Sequence, residues 1–242
     1  MKRPVVILCG GRGTRLRERT ESIPKALVEI GGRPILWHVI SIYAAQGFER
    51  FLLATGYKGE QIEDWVADSD WPAGLEVECI ETGTDTPTGG RIKLLEDRLD
   101  GGAFCATYAD GVADIHLGAL LEAHELAGAQ ATVTVVRPTL QFGVAELGED
   151  DRVLRFEEKP SLDRWINGGF FCFEPGALDY LAPDSVLERE PLERLAADGE
   201  LAAYRHEGFW DCMDTYKDAV LLNDLWESGR APWRIWSEEE SG

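Results

Sequence analysis

The stretch that most constrains this chain joins its first apolar run to a glycine-rich, cationic turn: VVILC (Val5–Cys9) leads directly into GGRGTRLR. A run that is apolar at every position belongs to a strand covered on both faces, which requires a sheet with helices on both sides. The same kind of unit then recurs. Apolar residues at Leu36, Val39, Ile40 and Tyr43 predict a helix within Ile35–Phe48, and Phe51–Thr55 reads as a strand. Helices are expected at Gly59–Ala67, Arg91–Leu99 and Leu117–Leu126, alternating with strands at Leu75–Ile80, Ala103–Tyr108 and Ala131–Val136. This alternation predicts an α/β fold, a Rossmann-like, mostly parallel sheet. After Arg137 short strands dominate (Gly143–Leu147, Val153–Phe156, Gly169–Phe173, Ala202–His206), with helices at Ala177–Leu181, Pro191–Ala197 and Thr215–Trp226. They read as a smaller C-terminal elaboration. No linker or repeat interrupts residues 1–242, so a single domain is expected, in two parts, 1–137 and 138–242.

A glycine-rich turn after a buried strand is a place for an anion, and the charge distribution sharpens that reading. The chain carries a formal net charge of −20. That argues against nucleic-acid or acidic-membrane partners, whose phosphates reward basic surfaces. Residues 1–33 nevertheless hold eight Lys/Arg against three acids, while the remainder holds 16 against 41. A local cationic patch on an acidic protein implies a small anionic ligand held in one place. No run of 18 apolar residues predicts a membrane span, and no signal peptide is expected at the N-terminus. The five cysteines (Cys9, Cys79, Cys105, Cys172, Cys212) form no CxxC pair and are expected as reduced core residues of a cytoplasmic protein. The four histidines have no ligand spacing, so no zinc site is expected.

Two familiar phosphate loops fail the test. A Walker A loop needs GK[ST] where this chain has Thr14-Arg15-Leu16, and a dinucleotide fingerprint needs a third glycine where Leu16 stands. A third pattern fits. LCGGRGTRL, then PKALVEIGGRPIL, resembles in order and spacing the signature of the sugar-1-phosphate nucleotidylyltransferases. The resemblance extends through YADGVAD (Tyr108–Asp114), FGV (Phe142–Val144), FEEKP (Phe156–Pro160), INGGFFCF (Ile166–Phe173) and GFWDCMDT (Gly208–Thr215). TGGRIK, WINGGFF, YRHEGFW and the APWRIW tail resemble the branch of that family that uses CTP and glucose-1-phosphate. The chain departs at Glu18, where proline is frequent, and in a short segment, LEVECIETGTDTP, where a longer insertion is common before TGGR.

The resemblance implies the nucleotide-diphospho-sugar transferase type of fold, with 1–137 on the nucleotide side and 138–242 on the sugar-phosphate side. It implies in-line attack of a sugar phosphate on the α-phosphorus of an NTP, giving an NDP-sugar and pyrophosphate, with Mg²⁺ as cofactor. Such a reaction needs no protein nucleophile, only positioning and charge neutralisation. Gly10, Gly11, Gly13 and Thr14 would wrap the nucleotide, and Arg15 would face the departing pyrophosphate. Lys25 would sit at the α-phosphate, and Asp110 with Asp214 would hold the metal. Thr88, Gly89, Gly90 and Arg91 would read the base at close approach. Gly143, Glu158, Lys159 and Asn167 would bind the sugar phosphate. Asp114 is expected to be structural. Trp226, Trp233 and Trp236 fit a core patch, a subunit contact or part of the sugar side, with the contact favoured because aromatics are enriched at interfaces and the family is commonly homo-oligomeric.

Overall fold

In the computed structural model, residues 3–13, 22–140, 142–161 and 163–236 are described. The first apolar run forms β1 (Val5–Leu8), buried at all four positions. Short strands β2 (Glu29–Ile30) and β3 (Arg33–Pro34) pair before α1 (Ile35–Ala44). Then come β4 (Arg50–Thr55), α2 (Gly59–Asp68), β5 (Glu76–Glu81), α3 (Thr88–Leu94), β6 (Phe104–Tyr108) and β7 (Gly111–Ala113). The chain continues through α4 (Leu117–Ala127), β8 (Ala131–Val136), β9 (Val144–Leu147), β10 (Val153–Glu157) and β11 (Ile166–Phe173). It ends with α5 (Glu190–Ala197), β12 (Leu201–Arg205), β13 (Trp210–Cys212) and α6 (Tyr216–Glu227).

Seven strands form the central sheet in the order β12-β8-β11-β6-β1-β4-β5. All neighbours are parallel except β11, which runs antiparallel between β8 and β6. Alternation along each strand sends side chains to two separate cores. Val5, Ile7, Phe51 and Leu53 face α1 and the Tyr43, Phe170 and Trp233 side chains. Val6, Leu8, Leu52, Phe104 and Phe173 face Ile92 of α3 and Leu195 of α5. Each such side chain contributes about 1.5–3 kcal/mol by leaving water. The carboxyl ends of β1, β4 and β6 therefore meet at one edge, where ligands of open parallel sheets bind.

The structure corrects two expectations. The C-terminal tryptophans belong to the core: Trp233 is fully buried, Trp236 is 7% exposed, and both pack on α1 with Trp226 partly buried against them. The ring of His38 lies 4.6 Å from that of Trp226 and 6.2 Å from that of Trp233. His38 Nε2–H donates to the Ile30 carbonyl at 2.8 Å, and Nδ1 accepts from Trp233 Nε1 at 3.3 Å. Burial lowers the His38 pKa to about 4, so the ring is neutral and both of its nitrogens are used. The second correction is the start of α3 at Thr88 rather than Arg91. Pro87 supplies an extended cap at φ −74°, and the glycines after it are the helix's first turn.

Candidate active site

The sheet edge carries a cavity of about 390 Å³ lined by Gly10, Gly11, Gly13, Lys25, Thr86 and Asp110 among others. Gly11 lies open: a Cβ there would meet nothing within 4 Å among the described residues. Gly13 has φ +58°, a left-handed turn that glycine adopts without strain. Thr14 and Arg15 lie outside the described residues.

The aspartates come from opposite halves of the sequence and are brought together by backbone. β13 pairs antiparallel with β7, and Met213 N–H donates to the Asp110 carbonyl at 2.9 Å. Asp214 is then fixed by the start of α6. Thr215 and Asp218 form a capping box, and Asp218 also accepts from the Asp214 N–H at 3.1 Å. The cap is therefore Thr215, which leaves the Asp214 carboxylate for the site. Lys25 Nζ lies 2.5 Å from Asp110 Oδ2 and 2.6 Å from Asp214 Oδ1. Burial works against this ammonium, but the two carboxylates outweigh it and hold its pKa above the ordinary lysine value. A cation thus sits between two hard oxygen donors, a donor set that fits a divalent ion such as Mg²⁺. Asp114 lies outside the cavity lining and faces His206 Nε2 at 3.1 Å.

Arg91 lines the cavity, but its guanidinium is engaged by the protein. It is 4% exposed, and its guanidinium donates to the Thr55 carbonyl (2.7 Å), Thr82 Oγ1 (2.6 Å), the Gly10 carbonyl (3.1 Å) and the Thr84 carbonyl (3.4 Å). The planar fork clamps the glycine loop to the 82–84 segment. Gly10 serves this clamp, since a Cβ there would stand 2.0 Å from the Arg91 guanidinium carbon. Gly89 and Gly90 also have another reason: a Cβ would meet the Ser185 and Pro183 carbonyl oxygens at 2.8 and 2.0 Å. Close backbone packing requires them to be small. Thr88 does line the cavity, and its hydroxyl donates to Glu188 at 2.7 Å.

Further residues complete the cavity. Thr84, Asp85, Thr86 and Pro87 form its wall opposite the glycine loop. Arg12 spans the gap, pairing with Asp85 at 2.9 Å and standing 5.3 Å over the Tyr57 ring. Tyr108 lines the floor and donates to Glu188; burial first and Glu188 second raise its pKa, so it remains a hydroxyl. Nothing in VLEREP marked Glu188. The variable position of GGRGTR did carry a signal for Arg12, an extra cation beside the loop.

The sugar-side residues are less assembled. Asn167 sits beside Tyr108, with Nδ2 3.4 Å from the phenol oxygen, while its Oδ1 accepts from Gly169 N–H at 2.7 Å. Gly143, Glu158 and Lys159 lie on or beside the exposed β9–β10 hairpin, outside the cavity lining. Glu158 and Gly143 are neighbours, since a Cβ at Gly143 would stand 2.9 Å from the Glu158 carboxylate. Lys159 has φ +49°, an uncommon backbone for a residue before proline.

The family model described as nucleotidyl transferase matches residues 4–215. The chain belongs to the nucleotidyl transferase family. A relative from Bacillus subtilis named probable glucose-1-phosphate cytidylyltransferase is 44% identical, over 96% of this chain and 99% of its own. The glucose-1-phosphate cytidylyltransferase of Salmonella typhi is 41% identical, over 96% and 98%. Among solved structures, HddC from Yersinia pseudotuberculosis complexed with GMP-PN superposes with a TM-score of 0.74 at 23% identity, over 93% and 99%. That likeness confirms the mostly parallel fold. No described helix is long and apolar enough to cross a membrane.

Proposed function

We propose that this family member joins CTP and glucose-1-phosphate to give CDP-glucose and pyrophosphate. The observation that carries the reading is the convergence of Asp110 and Asp214 on Lys25, at the edge of a cavity floored by the glycine loop. The relatives at 41–44% identity support cytosine and glucose.

The chain's own residues account for the remaining requirements. Gly11 leaves backbone accessible to phosphate oxygens, and the Arg91 clamp on Gly10 holds that backbone still. Lys25 supplies positive charge where the sugar phosphate would attack, and Arg15 is assigned to the departing pyrophosphate. Asp110 and Asp214 would hold Mg²⁺, which would neutralise charge on the nucleotide phosphates. A backbone carbonyl of the 82–90 segment is assigned to accept from the cytosine amine, which uracil lacks. Glu158, Lys159, Gly143 and Asn167 are assigned to the sugar phosphate, with the hairpin closing over it. The same hairpin exposes Phe142 (80%), Leu154 (67%) and Phe156 (64%), which supports self-association into a homo-oligomer.

The test is pyrophosphate release across NTPs and sugar-1-phosphates. CTP should exceed UTP by at least about tenfold in kcat/KM with glucose-1-phosphate, the discrimination one buried polar mismatch supplies. A purine nucleotide winning the comparison would overturn the assignment of the base and leave the reaction class standing. Sedimentation of the purified protein reads the oligomeric state.

A further inference from the structure

Glu188 is not part of the cavity lining, yet both of its carboxylate oxygens are spent on residues that are. Its Oε2 accepts from the Thr88 hydroxyl at 2.7 Å, and its Oε1 accepts from the Tyr108 hydroxyl. Backbone contacts hold Glu188 in this position. The N–H of fully buried Leu187 donates to Thr88 Oγ1 at 2.9 Å, and the Gly90 N–H donates to the Ser185 carbonyl at 3.1 Å. The segment 185–188 is therefore docked on the first turn of α3, and Glu188 is carried with it to the back of the two hydroxyls.

The consequence follows from counting protons. A carboxylate accepts and a hydroxyl has one proton, so Thr88 and Tyr108 each give theirs to Glu188. Burial and Glu188 together raise the Tyr108 pKa, so the phenol keeps the proton it donates. Leu187 N–H takes one lone pair of Thr88, and Asn167 Nδ2, at 3.4 Å, takes one of Tyr108. What either oxygen still has for a ligand is a lone pair. Lys25, Arg12 and the open backbone at Gly11 give the same cavity the opposite character. Ionised phosphate oxygens also carry only lone pairs, so they belong with those cations and not against Thr88 and Tyr108. A substrate hydroxyl, which has a proton to donate, fits the two acceptors.

We propose that Glu188 is a positioning residue that turns Thr88 and Tyr108 into paired acceptors for a substrate hydroxyl, on the ribose of the nucleotide or on the ring of the sugar phosphate. Acting through them, it selects the hydroxylated substrate over its deoxy analogue. This rests on the CTP and glucose-1-phosphate reading and adds to it a determinant of specificity. Thr88 adjoins the 84–87 wall of the cavity, and Tyr108 touches Asn167, which is assigned to the sugar phosphate. The pair thus stands where the two substrates meet.

The test measures kcat/KM for CTP, 2′-deoxy-CTP and 3′-deoxy-CTP with glucose-1-phosphate, and for the monodeoxy analogues of glucose-1-phosphate with CTP. The proteins compared are the wild type, Glu188→Ala and the Thr88→Val/Tyr108→Phe double variant. In the wild type at least one analogue should fall by about tenfold or more below its parent, as in a site built to bond a hydroxyl. Which analogue falls tells whether the ribose or the sugar is read. In the double variant the same analogue should come within about threefold of its parent, the effect of one ordinary neutral hydrogen bond. Glu188→Ala keeps both hydroxyls but frees their protons, and should shrink the penalty by about threefold or more. A merely structural role would lower parent and analogue alike and leave their ratio unmoved. Equal use of every analogue by the wild type overturns the proposal, and so does a penalty that persists undiminished in either variant. A change confined to the ratio of CTP to UTP would place the pair at the base and overturns it too. If the double variant does not fold, the wild-type panel and Glu188→Ala still decide. If no sugar reacts, the reaction assignment fails, and calorimetric titration of the same parents and analogues into the wild type and Glu188→Ala reads the same ratios from Kd.

Discussion

Replacing Lys25 by methionine removes a cation that two carboxylates share, and the geometry sets the size of the effect. Asp110 Oδ2 and Asp214 Oδ1 lie 2.5 and 2.6 Å from one nitrogen, so they can be no more than about 5 Å apart. Two unit negative charges at that separation repel by about 3 kcal/mol at an effective dielectric constant of 20. Asp214 is 35% exposed, and solvent screening brings the figure to about 2 kcal/mol. For a chain of 242 residues that corresponds to a drop in Tm of about 4–8 °C. The origin of the loss is electrostatic, so it should shrink when the pair binds a divalent cation. Thermal melts of Lys25→Met at pH 8, with and without millimolar Mg²⁺, should show the larger loss without metal. Adding Asp110→Asn should recover most of it, because one charge of the repelling pair is gone. Turnover should fall by about 10²-fold or more in all these variants, stable or not. A Tm loss indifferent to Mg²⁺ and to Asp110→Asn would refute the shared-cation argument, leaving Lys25 as ordinary packing.

Other expectations rest on individual contacts. Arg91→Ala should cost about 3–5 kcal/mol in urea melts, because buried acceptors at Thr55, Thr82 and Gly10 lose a charged donor, and Arg91→Lys should recover little of it; a loss under about 1 kcal/mol would mean that no clamp exists. Asp211 is buried enough to raise its pKa from 3.8 to about 6, so its folded form favours the proton and stability falls as pH rises from 3.8 to 6. Asp211→Asn should therefore raise stability by about 1–2 kcal/mol above pH 6, after discounting for partial exposure, and by nothing below pH 4; a gain equal at both ends would refute the burial argument. His38 acts with the opposite sign: its lowered pKa stabilises the fold fully above pH 6.5, and that contribution drains away as pH falls towards 4. Trp233→Phe, which removes the N–H that His38 accepts, should change the acid limb of the stability profile between those values, and an unchanged limb would refute the pairing.

What could be read in the sequence was whatever depends on local pattern. The buried β1, the β/α alternation and the glycine loop all come from spacing, because one face or both faces of an element must be apolar. Asp110 and Asp214 were legible through the motifs around them, although 103 intervening residues hide their proximity. What failed depends on who the neighbour is. Small residues at Gly89 and Gly90 announce a close approach, but the sequence does not name the approaching group, which proves to be the Pro183–Leu187 backbone. The same holds for Arg91. A cation after a glycine pair fits a phosphate site equally well as a ligand contact or as a support, and only three-dimensional distances show its donors already spent on backbone carbonyls. The C-terminal tryptophans pose the question in its apolar form. Large aromatics near a terminus serve an interface or a core, and the difference lies in whether α1 offers them a face. It does, because His38 is uncharged, accepts the Trp233 N–H and spends its own proton on Ile30, so a polar residue sits among indoles without leaving an unpaired nitrogen. The division has a physical root. Periodicity reports how an element meets water, which is a property of one segment, whereas a site is made of partners, which are a property of pairs.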